Sequence, residues 1–205
     1  MYFLSRIFVH LEMDFFDDMN EEQLLLVIEK CKKGDKQAFK QLMLTYSDYV
    51  FTLAFRILCN EDDARDMVQE TFIRVWKNIG NYRTENKITT WMYTITTNLC
   101  LDKLREKQRK PVVYNEEFEK NFASFLIDDE SNLQDNKQLA QLIAHLAEDL
   151  TPKQKLVFVL KDLEGLESDE IEQITGLDKG QIKSNLYYAR QQIKNKLIQT
   201  GYEVR

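Results

Sequence analysis

The sequence predicts an all-α protein built as two small helical domains joined by an acidic linker. Three observations carry that reading. Only six Gly and two Pro occur in 205 residues, among many Leu, Ile, Lys, Glu and Gln, a composition that favours helices. Apolar residues recur at helical spacing in several long segments. Charge is segregated: residues 111–149 hold nine acids against Lys120 and Lys137. At roughly 100–200 residues per domain, the length allows one or two.

Residues 1–18 mix apolar residues with one Arg and lack a small-residue cleavage site, a poor signal peptide. They read as an N-terminal extension, with translation starting at Met13 or Met19. The first domain is expected over 19–110. A helix near Met19, capped by Asn20, carries Leu24, Leu25, Val27 and Ile28 ahead of Gly34. A long helix over Lys36–Leu58 repeats Phe39, Leu42, Met43, Tyr46, Val50, Leu53, Ala54 and Ile57. Asn60–Asp63 then breaks the chain and caps the next helix with acids at its positive end.

That next helix, 62–79, has two faces. Ala64, Met67, Val68, Phe72, Val75, Trp76 and Ile79 form a broad apolar side. Opposite them, Asp66, Gln69, Glu70 and Ile73 share a stripe at i, i+3, i+4 and i+7. The stripe is either a solvated face with one exposed Ile or a docking surface. A polar loop, 80–86, contains Tyr82 and Arg83.

A further helix runs from about Thr89 to Arg109. Trp91, Ile95, Leu99 and Leu104 can face the core, while Tyr93, Thr94, Thr97 and Asn98 make a neutral stripe of aromatic and hydrogen-bonding groups. Its end, 101–110, sets five basic residues, including Lys103 and Arg105, against Asp102 and Glu106. That end either compensates the helix dipole or contacts phosphates beside a base-stacking surface.

Pro111 opens the linker, 111–149. Phe118, Phe122, Phe125 and Leu126 make it too apolar for an inert spacer, and Leu139, Leu142, Ile143 and Leu146 suggest a helix leading onward. The second domain spans 150–205. Thr151 caps a helix with Pro152 at its first position and Leu156, Val157, Val159, Leu160 and Leu163 inward; Gly165 ends it. A short helix, Ser168–Thr175, capped by Ser168, buries Ile171 and Ile174. Gly176 fits a left-handed C-cap, and Asp178 with Gln181 forms a capping box for a final helix burying Ile182, Leu186 and Ile193. Short helix, Gly turn and longer helix read as a helix-turn-helix. Lys179, Gln181, Lys183, Ser184, Tyr187 and Arg190 then project as donors for phosphates and base edges. From 179 to 205, six basic residues face a single acid, Glu203.

Other chemistries find no residues. Cys31, Cys59 and Cys100 form no C-x-x-C pair, and His10 and His145 have no ligand-like neighbours. No nucleophile–base pair, Gly-rich phosphate loop or metal spacing occurs, so no catalytic residue, cofactor or metal is expected. No apolar run approaches the ~20 residues that span a bilayer, so stable membrane insertion is not expected and the chain reads as cytoplasmic.

Four segments, in order, carry a resemblance: AFKQLMLTYSDYVFTLAFRIL (38–58), DARDMVQETFIRVW (63–76), TTWMYTITTNLCLDKLR (89–105) and LTPKQKLVFVLKDLEGLESDEIEQITG with KSNLYYAR (150–190). The chain resembles bacterial RNA polymerase sigma factors of the sigma-70 family, in the extracytoplasmic-function group that keeps regions 2 and 4. The resemblance implies a binding protein rather than an enzyme. It puts Asp66, Gln69, Glu70 and Ile73 on the clamp of the polymerase largest subunit. It assigns −10 DNA to the loop Asn81–Lys87, with Arg83 and Lys87, and to Trp91, Tyr93, Thr94 and Asn98, with Lys103 and Arg105 on the backbone. The helix-turn-helix would read −35 DNA and touch the β flap, and an anti-sigma factor is implied as regulator.

Three departures bear on promoter sequence. Thr94 and Asn185 stand where the family often carries Arg, and LESDE leaves Glu167 and Asp169 near the DNA side. The net charge of −6 implies weak DNA binding by the free protein. Two other readings remain open at this level: a regulator using the helix-turn-helix alone, without an evident dimerisation helix, and a sequestering factor that touches no DNA.

Overall fold

The computed structural model describes residues 21–85, 87–108, 146–147 and 149–199. The N-terminal extension, the Asn20 cap, the basic Arg109 and Lys110, the linker aromatics and the last six residues lie outside them.

The described chain is all-α. Helices α1 (Glu21–Lys32), α2 (Lys36–Leu58) and α3 (Glu61–Asn78) are followed by a 3-10 turn, Ile79–Asn81, and α4 (Ile88–Gln108). The second part holds α5 (Pro152–Phe158), a wide π-helical turn (Val159–Leu163), α6 (Ser168–Thr175) and α7 (Lys179–Gln199).

Local chemistry sets most of these ends. Asp35 caps α2 by accepting from the amides of Gln37 and Ala38 at 2.8 and 3.1 Å. Asn60 caps α3 through the Asp63 amide at 2.9 Å. Between those helices, Cys59 holds φ 52°, a left-handed cap usually left to glycine, and its N–H reaches the Phe55 carbonyl. The Thr151–Gln154 capping box starts α5, and Asp178 and Gln181 exchange bonds at 2.8 and 3.1 Å to start α7. Gly176 turns the chain between α6 and α7 at φ 68°. One cap differs from expectation. Helix α6 is capped at Glu167, not Ser168, because the Glu170 carboxylate reaches back to the Glu167 amide at 3.2 Å.

The first domain packs α1 on α2, and α2 on α3 and α4. Val27, Ile28, Leu42, Val50, Phe72, Val75, Ile79 and Met92 form one buried cluster there. A second cluster is continuous across both parts of the chain: Leu53, Ile57 and Tyr93 belong to it together with Leu156, Leu160, Ile171, Ile182 and Ile193. Helix α4 touches α5 and α6 as well as α2 and α3. It therefore buries two sides. Met92, Tyr93, Thr96, Thr97, Leu99, Cys100 and Leu101 are all inside, whereas Trp91, Ile95 and Leu104, expected in the core, are only half-buried. The inward Thr96 hydroxyl meets that of Thr71 at 3.2 Å, so the buried polar pair satisfies itself.

Asp63 ties the start of α3 to the end of α4. Lys103 lies 3.1 Å from its carboxylate and Lys107 pairs with its other oxygen. Burial pushes the Asp63 carboxyl up, but the two lysines outweigh that and hold it below its ordinary value. A lowered carboxyl contributes stability above its unfolded pKa and loses it as pH falls through the folded value. Asp63→Asn should therefore cost about 1 kcal/mol at pH 7, discounted for solvent screening. Thermal unfolding should show that deficit shrinking once pH drops below the ordinary value of 3.8. A deficit that persisted in acid would assign the loss to packing instead.

Candidate functional site

The stripe on α3 is a free surface beside a groove. Asp66 and Gln69 are exposed, Glu70 is half-buried and pairs with Arg74 at 3.1 Å, and Ile73 is 45% exposed. Gln69 and Ile73 border an open apolar groove of about 520 Å³ with Phe39, Met43, Phe72 and Trp76, flanked by Lys36 and Lys77. The Phe39 ring lies 4.7 Å from Trp76 and 6.3 Å from Phe72, which fixes the floor. Trp76 and Val68, expected in the core, are only half-buried.

A second groove, of about 310 Å³, lies where α3, the 3-10 turn and α4 meet. It brings together Trp91, Thr94 and Asn98, three residues expected to face nucleic acid, with Arg74, Asn78 and Asn81. Asn81 begins the loop expected to face −10 DNA, whereas Arg74 and Asn78 were not anticipated. The sequence signal for Asn78 is an amide before Ile79-Gly80, which reads equally well as a helix end. Trp91 is half-buried, its ring 5.1 Å from Tyr82. Arg83 and Lys87 are exposed in the loop before α4.

Tyr93 does not join that groove. It is 2% exposed, stacks on Tyr49 at 4.7 Å and donates its hydroxyl to Glu164 at 2.7 Å. Burial, then the Glu164 charge, pushes its hydroxyl pKa well above the ordinary value. Thr97 is buried too, its hydroxyl donating to the Tyr93 carbonyl at 2.7 Å. The neutral stripe of α4 thus splits: Thr94 and Asn98 line the groove, while Tyr93 faces the second part of the chain and Thr97 is buried against its own helix backbone. In this arrangement Tyr93 cannot meet a base. Lys103 is held by Asp63, and Arg105 lies 3.1 Å from Asp102 on the surface.

On α7, Gln181, Lys183, Ser184 and Tyr187 are exposed on one side, with Tyr187 59% exposed. The Gln181 carbonyl oxygen serves the capping box, leaving its amide nitrogen outward. Lys179 pairs with Asp169 across the turn. Arg190 departs from expectation. Its guanidinium makes two bonds to Asp162, at 2.9 and 2.6 Å, bracing α7 against the π-helical turn. Among the described residues, no group of three His, Cys, Asp or Glu is placed to hold a metal, and no helix is long and apolar enough to cross a membrane.

Comparison with known proteins accounts for both halves. The family model for sigma-70 region 2 matches residues 42–110, and that for sigma-70 region 4 matches residues 140–193. The chain belongs to the sigma-70 family. Curated relatives are of the extracytoplasmic-function (ECF) group. The ECF RNA polymerase sigma-E factor of Escherichia coli (strain K12) is 29% identical over 178 residues, covering 84% of this chain and 93% of the relative. The ECF sigma factor SigW of Bacillus subtilis (strain 168) is 29% identical over 180 residues, covering 83% and 94%. Among solved structures, CnrH in complex with the cytosolic domain of CnrY aligns with TM-score 0.60 at 17% identity, over 84% of this chain and 96% of that one. The sigma factor RpoE of Bartonella quintana, in complex with the anti-sigma factor NepR, aligns with TM-score 0.57 at 20% identity, over 78% and 96%.

This chain is therefore an ECF sigma factor, a non-enzymatic subunit that binds core RNA polymerase and recognises promoters. In this sigma factor the polar groove falls within the region 2 match, the apolar groove does so apart from Lys36 and Phe39, and the helix-turn-helix lies within the region 4 match as far as residue 193 of α7. Arg190 should behave as a brace. Arg190→Ala and Asp162→Ala should each lower stability by about 1 kcal/mol after screening, and the double variant by little more. A thermal double-mutant cycle with no coupling would return Arg190 to the DNA-facing set.

Proposed function

We propose that the sigma factor docks on the clamp of the polymerase largest subunit through Asp66, Gln69, Glu70 and Ile73, and opens the −10 element at α4. The −35 element is read by α7, through Lys179, Gln181, Lys183, Ser184 and Tyr187, with the second domain against the β flap. The observation that carries this reading is that one helix, α3, borders both grooves: Gln69 and Ile73 at the apolar one, Arg74 and Asn78 at the polar one. Clamp docking and base capture are then rigidly linked.

The chemistry suits binding rather than bond-making. Unstacking duplex DNA costs a few kcal/mol per step. Stacking on Trp91 and hydrogen bonds from Asn98, Asn78 and Asn81, at ~1–3 kcal/mol per captured base, offset that only on a fitting sequence. Arg83 and Lys87 stand ready for the strand's phosphates. Lys103 and Arg105 reach phosphate by exchanging their carboxylate partners. An anti-sigma factor is the expected regulator, in line with the RpoE of similar fold, which is seen in complex with the anti-sigma factor NepR. The site of action is the cytoplasm, where polymerase and promoter are. Residues 19–110 and 150–205 are taken as the two working domains, with 111–149 as their tether.

Run-off transcription with purified core enzyme on a genomic library tests the reading, and folded protein that directs no initiation would reject it. Ile73→Glu with Asp66→Ala should abolish core binding while leaving helicity intact; normal binding would make the stripe a mere surface. Trp91→Ala should slow promoter opening about tenfold with core binding unchanged. Because the net charge is −6, the free protein should shift duplex promoter DNA only weakly in a gel. Tight sequence-specific binding without core would count against the scheme.

A further inference from the structure

We propose that the polar groove between α3 and α4 selects guanine, with Arg74 as the residue that reads it. The promoter setting of this inference rests on the sigma-factor reading above; the base preference of the groove does not.

Arg74 is the cation among the residues lining that groove, and it is held in place. Its Nε donates to the Glu70 carboxylate at 3.1 Å, one helical turn back. Among the described residues its two terminal nitrogens make no hydrogen bond. A guanidinium anchored at Nε keeps the N–H pair of its far edge as a rigid fork. The side chain is 46% exposed, so the fork is open to a ligand.

Two other polar groups of the groove are biased the opposite way. Asn78 commits its amide nitrogen to the Arg74 carbonyl at 2.8 Å, which leaves its side-chain oxygen to accept. Thr94 donates its hydroxyl to the Thr90 carbonyl at 2.9 Å and so offers lone pairs. A fitting base must bring two adjacent acceptors to the fork and donors to these oxygens. Guanine does both: O6 and N7 are acceptors side by side, and N1–H and N2–H2 are donors. Adenine turns its N6 donor toward the fork, and thymine sets a methyl group beside its O4. Cytosine offers two acceptors but one donor group, so it ranks second. The half-buried Trp91 ring, braced at 5.1 Å by Tyr82, gives every base a stacking wall and does not discriminate. At about 310 Å³ the groove has room for a single flat base. Selection therefore lies with Arg74.

The test measures fluorescence anisotropy of the full chain with labelled oligothymidylates carrying one central dG, dA or dC. The dG strand should bind roughly tenfold tighter than the others, within the range for one bidentate arginine contact. Arg74→Ala should remove that difference. Arg74→Lys keeps the charge without the fork and should lose the preference while retaining most of the affinity. Arg74→Gln should move the preference to dA, because glutamine pairs with N6 and N7 of adenine. If Arg74→Ala loses helicity by circular dichroism, Arg74→Lys and Arg74→Gln carry the test. Equal binding of all strands, a dC preference, or a dG preference that survives in Arg74→Ala would each overturn the inference. GMP competing as well as the dG strand would make this a free-nucleotide site and overturn it too. With core polymerase and a promoter library randomised at the −10 element, transcripts should be enriched for one non-template G, and Arg74→Ala should lose that enrichment at unchanged core affinity. Initiation without the enrichment would overturn the groove's use on promoters. A wild type that initiates nowhere would reject the sigma-factor scheme, while the oligonucleotides would still decide guanine selection.

Discussion

A buried carboxylate fixes the register in which the two halves of this chain meet, beside the apolar cluster they share. An ion taken from water into protein loses several kcal/mol of hydration, so Glu164 can sit inside only if its oxygens are fully used. Arg56 and the Tyr93 hydroxyl supply that, and Arg56 in turn needs the Leu163 carbonyl. Leu163 ends the π-helical turn and Glu164 follows it, so a backbone carbonyl and a carboxylate from adjacent residues meet the same guanidinium. Deleting one member of such a buried pair costs ~3–5 kcal/mol, because the other is left charged and unpaired.

Helix α4 then has to satisfy two neighbours at once. Met92 and Thr96 face the first-domain core, where Thr96 meets Thr71. Tyr93 lies in the cluster shared with the second domain. What remains is a strip of Trp91, Thr94 and Asn98, completed by amides from α3 and the turn after it. Amides offer a donor and an acceptor each, so this strip can match base edges without carrying charge. Arg74, paired with Glu70, borders the same strip, and other cations are engaged away from it: Lys103 and Lys107 with Asp63, Arg105 with Asp102, Lys179 with Asp169, Arg190 with Asp162. Exposed pairs of this kind hold by at most ~1 kcal/mol and can trade a carboxylate for a phosphate. The two-point Arg190–Asp162 contact is the one least suited to such exchange.

Features set by neighbours in sequence were legible; those set by distant contacts were not. The Asn60, Thr151 and Asp178 caps are three-residue patterns, and the burial of Ile182, Ile193, Leu156 and Leu160 follows from periodicity. The Glu167 cap was also written locally, in its spacing to Glu170, but Ser168 is the commoner capping residue and drew the eye. Tyr93 is different in kind. An aromatic beside threonines suits a base-facing surface or a polar domain interface equally, and its partner lies 71 residues away. Arg190 likewise looks like a phosphate donor until Asp162, 28 residues earlier, is folded beside it. The grooves escape sequence reading altogether, because each is assembled from two or three helices.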